Sequence, residues 1–539
     1  MSSSKLKKEN KTSFLKNVLM LMFSQVVVKV LGLVYRIAIV DAEGFGNTGN
    51  GYYATGYQIY MVLLAIASIG IPNVISKLVS ERVASGDYKG AHRLFKTAIT
   101  LFTSFGFFLS LVLFFSADFI ATTLLNATGV KYTLMVLAPA LTFVSASAVL
   151  RGYFGGLGSM KATGNSLIIE QFFNCVLSIG FVYACVGKDT AIMAAAGNLS
   201  TTCACAVAFI YLAIFYLRRK SEIKGEISTQ TVPAENKKKS KLIKTILAVS
   251  VPITLSSLIT TANSTIDIFT VSNGIQKAFE TTEDYAMELY GIMQKAEVIT
   301  HLPLAISGTL CSAIVPAISA LIAKKDSKGV NSKICSAVFI NSLIIFPCMA
   351  GIIALAAPVL KLLYPSASEG SEMLLLLCVT LPFSSLTYVL NGILYGTGKQ
   401  FIPAATIAAG SALKLVLNLL LISSLSIYGA IIGTIAYQIF VFGVETFFVF
   451  RFVKVKLEYV KSFLKPIIAS AIMGGLVFGS YKCLDLVCSG AIATVISIFI
   501  GVVVYAALIL LFRAISAEDL KTMPFGSKLE KVLTRLKLV

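Results

Sequence analysis

Charge is scarce in this sequence. Only 13% of its 539 residues are charged, 56% are hydrophobic, and the mean hydropathy is +0.84. That balance excludes a soluble domain and leaves a polytopic membrane protein. Histidine is rarer still: His92 and His301 stand far apart and make no recognisable metal motif. The ten cysteines include no CxxC pair. Most, such as Cys175, Cys203, Cys205 and Cys348, fall in apolar runs and read as small membrane residues. Cys483 and Cys488 flank a short loop, and a disulfide between them stays open. No Walker A motif is present, so ATP does not drive this chain directly. No cleavable signal peptide is expected, because the first apolar run is too long and Asp41-Ala42-Glu43 follows it.

What the sequence has instead is a series of about 14 apolar runs. They lie near 15–40, 53–79, 93–117, 132–152, 163–186, 190–217, 242–272, 291–322, 333–356, 372–395, 402–425, 428–450, 463–482 and 489–512. Each is long enough for a membrane helix. With the N-terminus inside, 37 of the 46 Lys and Arg residues fall in inside segments. Five fall outside (Lys131, Lys188, Lys277, Lys361, Lys482), and four lie within runs (Lys29, Arg36, Lys295, Lys414). This bias places both termini in the cytoplasm. It also accounts for the net charge of +20 without nucleic acid.

A polar segment, 218–241, separates six runs (1–217) from six more (242–455), and 456–539 holds the last two runs and a tail. Arg151-Gly152-Tyr153-Phe154-Gly155-Gly156-Leu157-Gly158 ends the fourth run, and Asn391-Gly392-Ile393-Leu394-Tyr395-Gly396-Thr397-Gly398 ends the tenth. Both halves start from the inside, so the reading is a parallel repeat of two six-helix lobes. Such repeats place a substrate site near mid-membrane between the halves.

The first run carries Gln25, Lys29, Gly32 and Arg36. At about 100° per residue, Gln25 and Arg36 are only about 20° apart around the axis, so the four form one stripe. A charge at the centre of a membrane helix costs about 2.5–3.5 kcal/mol on insertion scales. Two cations on one face therefore call for a wet or polar surrounding and an anionic cargo. The seventh run presents Ser256, Thr260, Asn263, Asp267 and Thr270 on one face. Ordinary packing explains the hydroxyls but not Asp267.

Gln294, Lys295, Glu297 and His301 open the eighth run, with Lys295 near its outer boundary, where it can either snorkel or line a cavity. Glu170 with Asn174, and Lys414 with Asn418, share faces of the fifth and eleventh runs. Glu445, near the inner end of the twelfth, reads as a solvated headgroup-level residue. Arg36, Asp267 and Glu297 all sit in the outer part of the membrane. A gate in which Arg36 pairs with Asp267 or Glu297 is the expectation, with Asn263 and Glu170 as further gate or ion-coupling candidates. No cofactor is expected beyond a possible monovalent coupling cation.

Several motifs carry a family resemblance. Gly49-Asn50-Gly51-Tyr52-Tyr53, Tyr57-Gln58-Ile59-Tyr60, Gly70-Ile71-Pro72-Asn73, Ser76-Lys77-Leu78-Val79-Ser80-Glu81-Arg82 and Ala91-His92-Arg93-Leu94-Phe95-Lys96 resemble the stage V sporulation protein B and YtgP group. That group stands beside the MurJ flippases in the multidrug/oligosaccharidyl-lipid/polysaccharide exporter superfamily. The resemblance implies an all-α, two-lobed fold with two C-terminal helices. It also implies alternating access, a monomeric transport unit in the cell membrane, and no enzyme activity. The implied cargo is an undecaprenyl-pyrophosphate-linked glycan, the peptidoglycan precursor lipid II above all.

Lys29-Val30-Leu31-Gly32 is similar to the MurJ pattern Arg-Val-Leu-Gly. Tyr35-Arg36 stands where that pattern continues Arg-Asp, so the second cation is displaced by one residue and the acid is missing. The implied pyrophosphate ligands are Lys29, Arg36, Lys295 and Lys414. Three rivals remain: a flippase for another lipid-linked polysaccharide, a drug exporter of the same superfamily, and a membrane glycosyltransferase using Asp41 and Glu43. The cations argue against the second and the short outside loops against the third. A sporulation role and a vegetative one are not distinguished by these residues.

Overall fold

The computed structural model describes Ser24, residues 27–228, Gln230, residues 239–453 and residues 458–514. Gln25 and most of the terminal basic residues lie outside that range. All regular structure among the described residues is helical. Among the described residues, twelve helices are long and apolar enough to cross a membrane, which makes this a multi-pass membrane protein. They are α2 (Gly46–Ala84), α3 (Tyr88–Leu124), α4 (Val130–Gly156), α5 (Met160–Ala184) and α6 (Thr190–Gly225), then α8 (Glu283–Ala323) and α9 (Ser327–Ala354). The rest are α10 (Ser371–Gly396), α11 (Phe401–Leu425), α12 (Ile427–Val453), α13 (Val460–Asp485) and α14 (Gly490–Leu511). Two further helices, α1 (27–40) and α7 (Lys239–Phe279), stand where the first and seventh runs were expected.

Local chemistry sets the helix ends. Asp87 caps α3 by accepting from Gly90 N at 2.8 Å, and Asp326 caps α9 by accepting from Gly329 N at 2.9 Å. Gly158 (φ +79°) and Gly398 (φ +76°) close α4 and α10 in the left-handed region, where a side chain would be strained. Within α2 a π-helical turn at Ala65–Ile69 precedes Gly70, and Pro72 enters the first turn of the following segment, where its missing N–H costs nothing.

By packing, the chain divides into residues 1–291 and 292–539, with the division inside α8. The first unit therefore includes α7, which packs on α2, α3 and the π-helical turn, and also the first turns of α8. In the first unit α6 runs on to Ser228, and Gln230 Oε1 accepts from Lys89 N at the α3 cap at 2.8 Å.

The same crossing recurs in each unit. A Cβ on Gly152 would stand 2.8 Å from Pro72 O, and one on Gly156 2.9 Å from Ser76 O. On α10, a Cβ on Gly392 would stand 3.2 Å from Cys311 O, and one on Gly396 3.1 Å from Val315 O. The partners are offset by 239 or 240 residues throughout, and each site is a Gly-xxx-Gly face that lets two backbones approach. Apolar side chains close around each crossing, Ile71, Ile75 and Phe154 in one unit and Ile318, Val338 and Ile393 in the other. The pair α13 and α14 packs through Gly501 against Val477, and α13 lies on α9.

Candidate functional site

In the first unit, α1 brings the cationic stripe to a column of tyrosines. Lys29 is exposed, and Gly32 faces Gln171 of α5, with a Cβ position 3.6 Å from its amide nitrogen. Arg36 is half-buried, its guanidinium carbon 5.5 Å from the centre of the Tyr53 ring. Tyr35 and Tyr53 share a hydroxyl contact of 3.2 Å. From Tyr53 the column continues along α2: its ring stacks on Tyr57 at 6.2 Å, and Tyr57 meets Tyr60 at 5.8 Å. Tyr57 lies within electrostatic reach of both Arg36 and Glu170.

At the far end of the column Glu170 is paired. Arg151 Nη2 stands 2.5 Å from Glu170 Oε2, and Arg151 Nε donates to Ser166 Oγ at 2.9 Å. By the charge bias alone Arg151 falls among the inside basic residues. The turn through Gly158 reverses the chain so that α4 and α5 lie side by side, and this brings Arg151 onto an acid 19 residues away. Asn174, one turn beyond Glu170, is used in packing: its Oδ1 accepts from Ser200 Oγ at 2.6 Å. On α7, Asp267 and Thr270 are buried and Asn263 is half-buried. The side chains of Ser256 and Thr260 lie outside the described residues.

A hydrogen-bonded seam that the sequence reading missed closes one end of this unit. Glu283 and Asp284 occupy the first turn of α8, where the helix dipole favours acids. Tyr52, 4% exposed, sits between their carboxylates at 2.8 Å from each. Glu283 also accepts from Gly129 N at 2.9 Å, at the start of α4, and from Thr128 Oγ1 at 2.8 Å. Asn50 Nδ2 donates to Gly291 O at 2.8 Å, and Gln276 Nε2 to Asn126 O at 2.7 Å. A Cβ on Gly51 would lie 2.0 Å from Met287 O, and one on Gly291 1.9 Å from Asn47 O, so only glycine permits this contact. The signal that could have exposed the seam was the Gly49-Asn50-Gly51 motif together with the acidic pair Glu283-Asp284 just ahead of the eighth run.

The second unit holds the other candidates. Lys295 is 1% exposed, its ammonium donates to Ala367 O, and it lies 5.4 Å from the Tyr364 ring centre. Lys295 therefore does not snorkel: the turn after the short helix Ala356–Leu363 folds over it. Glu297 accepts from Gln294 Nε2 at 2.8 Å, and His301 is exposed. Lys414 and Asn418 are buried on α11 against α12, where a Cβ on Gly433 would lie 2.3 Å from Asn418 Oδ1.

Glu445 is a correction. It is not a solvated residue at headgroup level but 0% exposed. The face of α12 that carries it turns inward onto Asn391 of α10, which the helix-end position alone did not show. Cys483 and Cys488 are both free thiols. Of the four expected pyrophosphate ligands, Lys29 is exposed, Arg36 is half-buried, and Lys295 and Lys414 are buried.

Residues 14–322 match the family described as polysaccharide biosynthesis protein. Three proteins of Bacillus subtilis (strain 168) are similar to the chain. One is an uncharacterised membrane protein, YabM, 27% identical over 527 residues, which cover 96% of each chain. Stage V sporulation protein B is 25% identical over 537 residues, covering 96% of this chain and 99% of that protein. Lipid II flippase MurJ is 25% identical over 440 residues, covering 78% of this chain and 80% of that one.

Among solved structures, the inward closed conformation of lipid II flippase MurJ aligns with a TM-score of 0.68 at 16% identity. It covers 92% of this chain and 98% of that one. An inward-facing multidrug resistance MATE family transporter of the MOP superfamily aligns with a TM-score of 0.67 at 16% identity, covering 81% and 98%. At these identities the structures show the fold: all-helical, of the kind MurJ and the MATE transporters share.

Proposed function

The chain belongs to the polysaccharide biosynthesis protein family, and from that premise we propose that it is a flippase for a lipid-linked, pyrophosphate-bearing glycan, with lipid II as the first candidate. The single observation that carries this reading is the cation pair on one face of α1, exposed Lys29 and half-buried Arg36, with Arg36 set against a column of tyrosines. Pyrophosphate is multiply anionic, and Arg and Lys bind such oxygens through charge-assisted hydrogen bonds. Tyrosine rings and hydroxyls are suited to sugars, with an apolar face and a polar edge. Lys29 and Arg36 receive the pyrophosphate, while buried Lys295 and Lys414 stay inside the second unit and support its helices.

The Glu283–Tyr52 seam, on the face that the basic-residue bias places outside, acts as an outer latch. Release of its hydrogen bonds opens the tyrosine column to that side. The sequence carries no Walker A motif to couple the cycle to ATP. Membrane potential supplies about 2.3 kcal/mol per charge per 100 mV, enough to bias a two-state transporter. A second reading, a flippase for a different surface polysaccharide on the same carrier, is favoured by the family's description and needs the same cations.

Native mass spectrometry of the purified protein with lipid II, a peptide-free undecaprenyl-pyrophosphate glycan and undecaprenyl phosphate tests the reading. Preferential lipid II binding that Lys29→Ala and Arg36→Ala abolish is the expected result. Equal binding of the peptide-free glycan selects the second reading. A lipid preference indifferent to both substitutions means that the stripe is structural.

A further inference from the structure

One position is filled differently in the two repeats. On α4, Arg151 immediately precedes the Gly-xxx-Gly face and holds Glu170 in an ion pair. On α10, Asn391 stands in that same place, 240 residues on, and the carboxylate it faces is Glu445 of α12. The Asn391 amide nitrogen, turned toward Glu445, stands 3.1 and 3.2 Å from its two carboxylate oxygens. The acid has kept a partner, but the partner has lost its charge.

No ammonium or guanidinium among the described residues pairs with Glu445. The groups in its electrostatic reach are Cys311 of α8, Tyr395 of α10 and Tyr437 of α12, all neutral as thiol or phenol at pH 7. Tyr388 of α10 faces Cys311 and Tyr437. On α11 the charged group is Lys414, which packs near Gly433, about 18 Å along the α12 axis at 1.5 Å per residue. A fully buried carboxylate with one amide donor is expensive as an anion and cheap as an acid.

The carboxamide suits both forms: its NH2 donates to a carboxylate, and its carbonyl accepts from a carboxylic O–H. Asn391 is itself half-buried, and Tyr388 and Tyr395, on its face of α10, are 42% and 40% exposed. Glu445 is thus one side chain removed from an exposed strip.

We propose that Glu445 is a proton-binding site gated by Asn391. In the loaded form the carboxylic O–H donates to the Asn391 carbonyl. On release that O–H bond breaks, the proton passes to water on the Tyr388–Tyr395 strip, and the amide turns to donate to the carboxylate left behind. Its use in transport, as the coupling step, rests on the flippase reading; the site itself does not.

The test uses the full chain in nanodiscs without any lipid-linked glycan, so it stands or falls apart from the substrate. Infrared difference spectra are recorded as the pH is raised. The expected result is a carboxylic-acid C=O band that disappears with rising pH in the wild type and in Glu170→Gln, and that is missing in Glu445→Gln. Asn391→Leu keeps the acid but removes the donor to its ionised form, so the band should persist to higher pH. Wild-type spectra without such a band, or a band unchanged in Glu445→Gln, overturn the proposal. So does a sodium-dependent thermal stabilisation that Glu445→Gln removes, since it would make the site an ionised cation ligand.

Discussion

Replacing Glu283 by alanine should loosen the seam by an amount that its geometry bounds. The substitution removes the acceptor for Gly129 N and for Thr128 Oγ1. The Tyr52 hydroxyl keeps a partner, because Asp284 also stands 2.8 Å away. Hydrogen bonds to charged groups are worth about 1.5–3 kcal/mol when buried and less at the surface, so the half-exposed pair contributes roughly 2 kcal/mol in all. At about 1.4 kcal/mol per decade, the open form should rise ~30-fold. Replacing Asp284 as well strands the buried phenol of Tyr52, adds about 2 kcal/mol, and takes the change to ~1,000-fold.

The reporter is a single cysteine at Thr55, which is 1% exposed and one turn beyond Tyr52, in a cysteine-free background. Labelling by an impermeant maleimide then follows the open fraction. Rates that rise in the single variant and again in the double support the latch. Equal rates in wild type and double variant refute it, since no seam that matters could lose four contacts silently.

Other expectations follow from the same structure. Arg151→Ala leaves the partly buried Glu170 without its cation and should lower stability by about 1–3 kcal/mol, read as a drop in Tm. The double variant Arg151→Ala/Glu170→Gln should recover much of that loss. Gly152→Ala should destabilise more than Gly392→Ala, because its Cβ meets Pro72 O at 2.8 Å whereas the other meets Cys311 O at 3.2 Å; overpacking costs about 1–3 kcal/mol, and thermal unfolding in detergent ranks the two. Lys295→Met should reduce stability, by loss of the Ala367 and Tyr364 contacts, more than it reduces affinity for a pyrophosphate lipid, whereas Lys29→Met should do the reverse.

The helices were readable because a bilayer forces each crossing segment to satisfy its own backbone, which writes long apolar runs into the sequence. The Gly-xxx-Gly faces at Gly152 and Gly392 were readable as motifs, and they mark the crossings that the two units share. The Lys29–Arg36 stripe was legible from spacing alone. Pairings between helices were not. Arg151 and Glu170 were each noticed, but only the reversal at Gly158 brings them together. Glu283 lies ahead of the eighth apolar run, and nothing local shows that the start of α8 turns to Tyr52 and Gly129. Depth along α12 placed Glu445 near a membrane surface, yet rotation about the helix axis, set by packing on α10, decided that it is buried. Lys295 was ambiguous for the same reason: the turn that covers it lies some 70 residues away in the chain.

The measurement that bears most directly on the central claim is transfer of a fluorescent undecaprenyl-pyrophosphate glycan across proteoliposomes, wild type beside Arg36→Ala and Lys29→Ala. The account predicts transfer well above protein-free vesicles, slowed at least tenfold by either substitution, as expected from losing ~1.4 kcal/mol or more of a charge-assisted contact. Transfer no faster than in empty vesicles, or a wild-type rate in both variants, would contradict it.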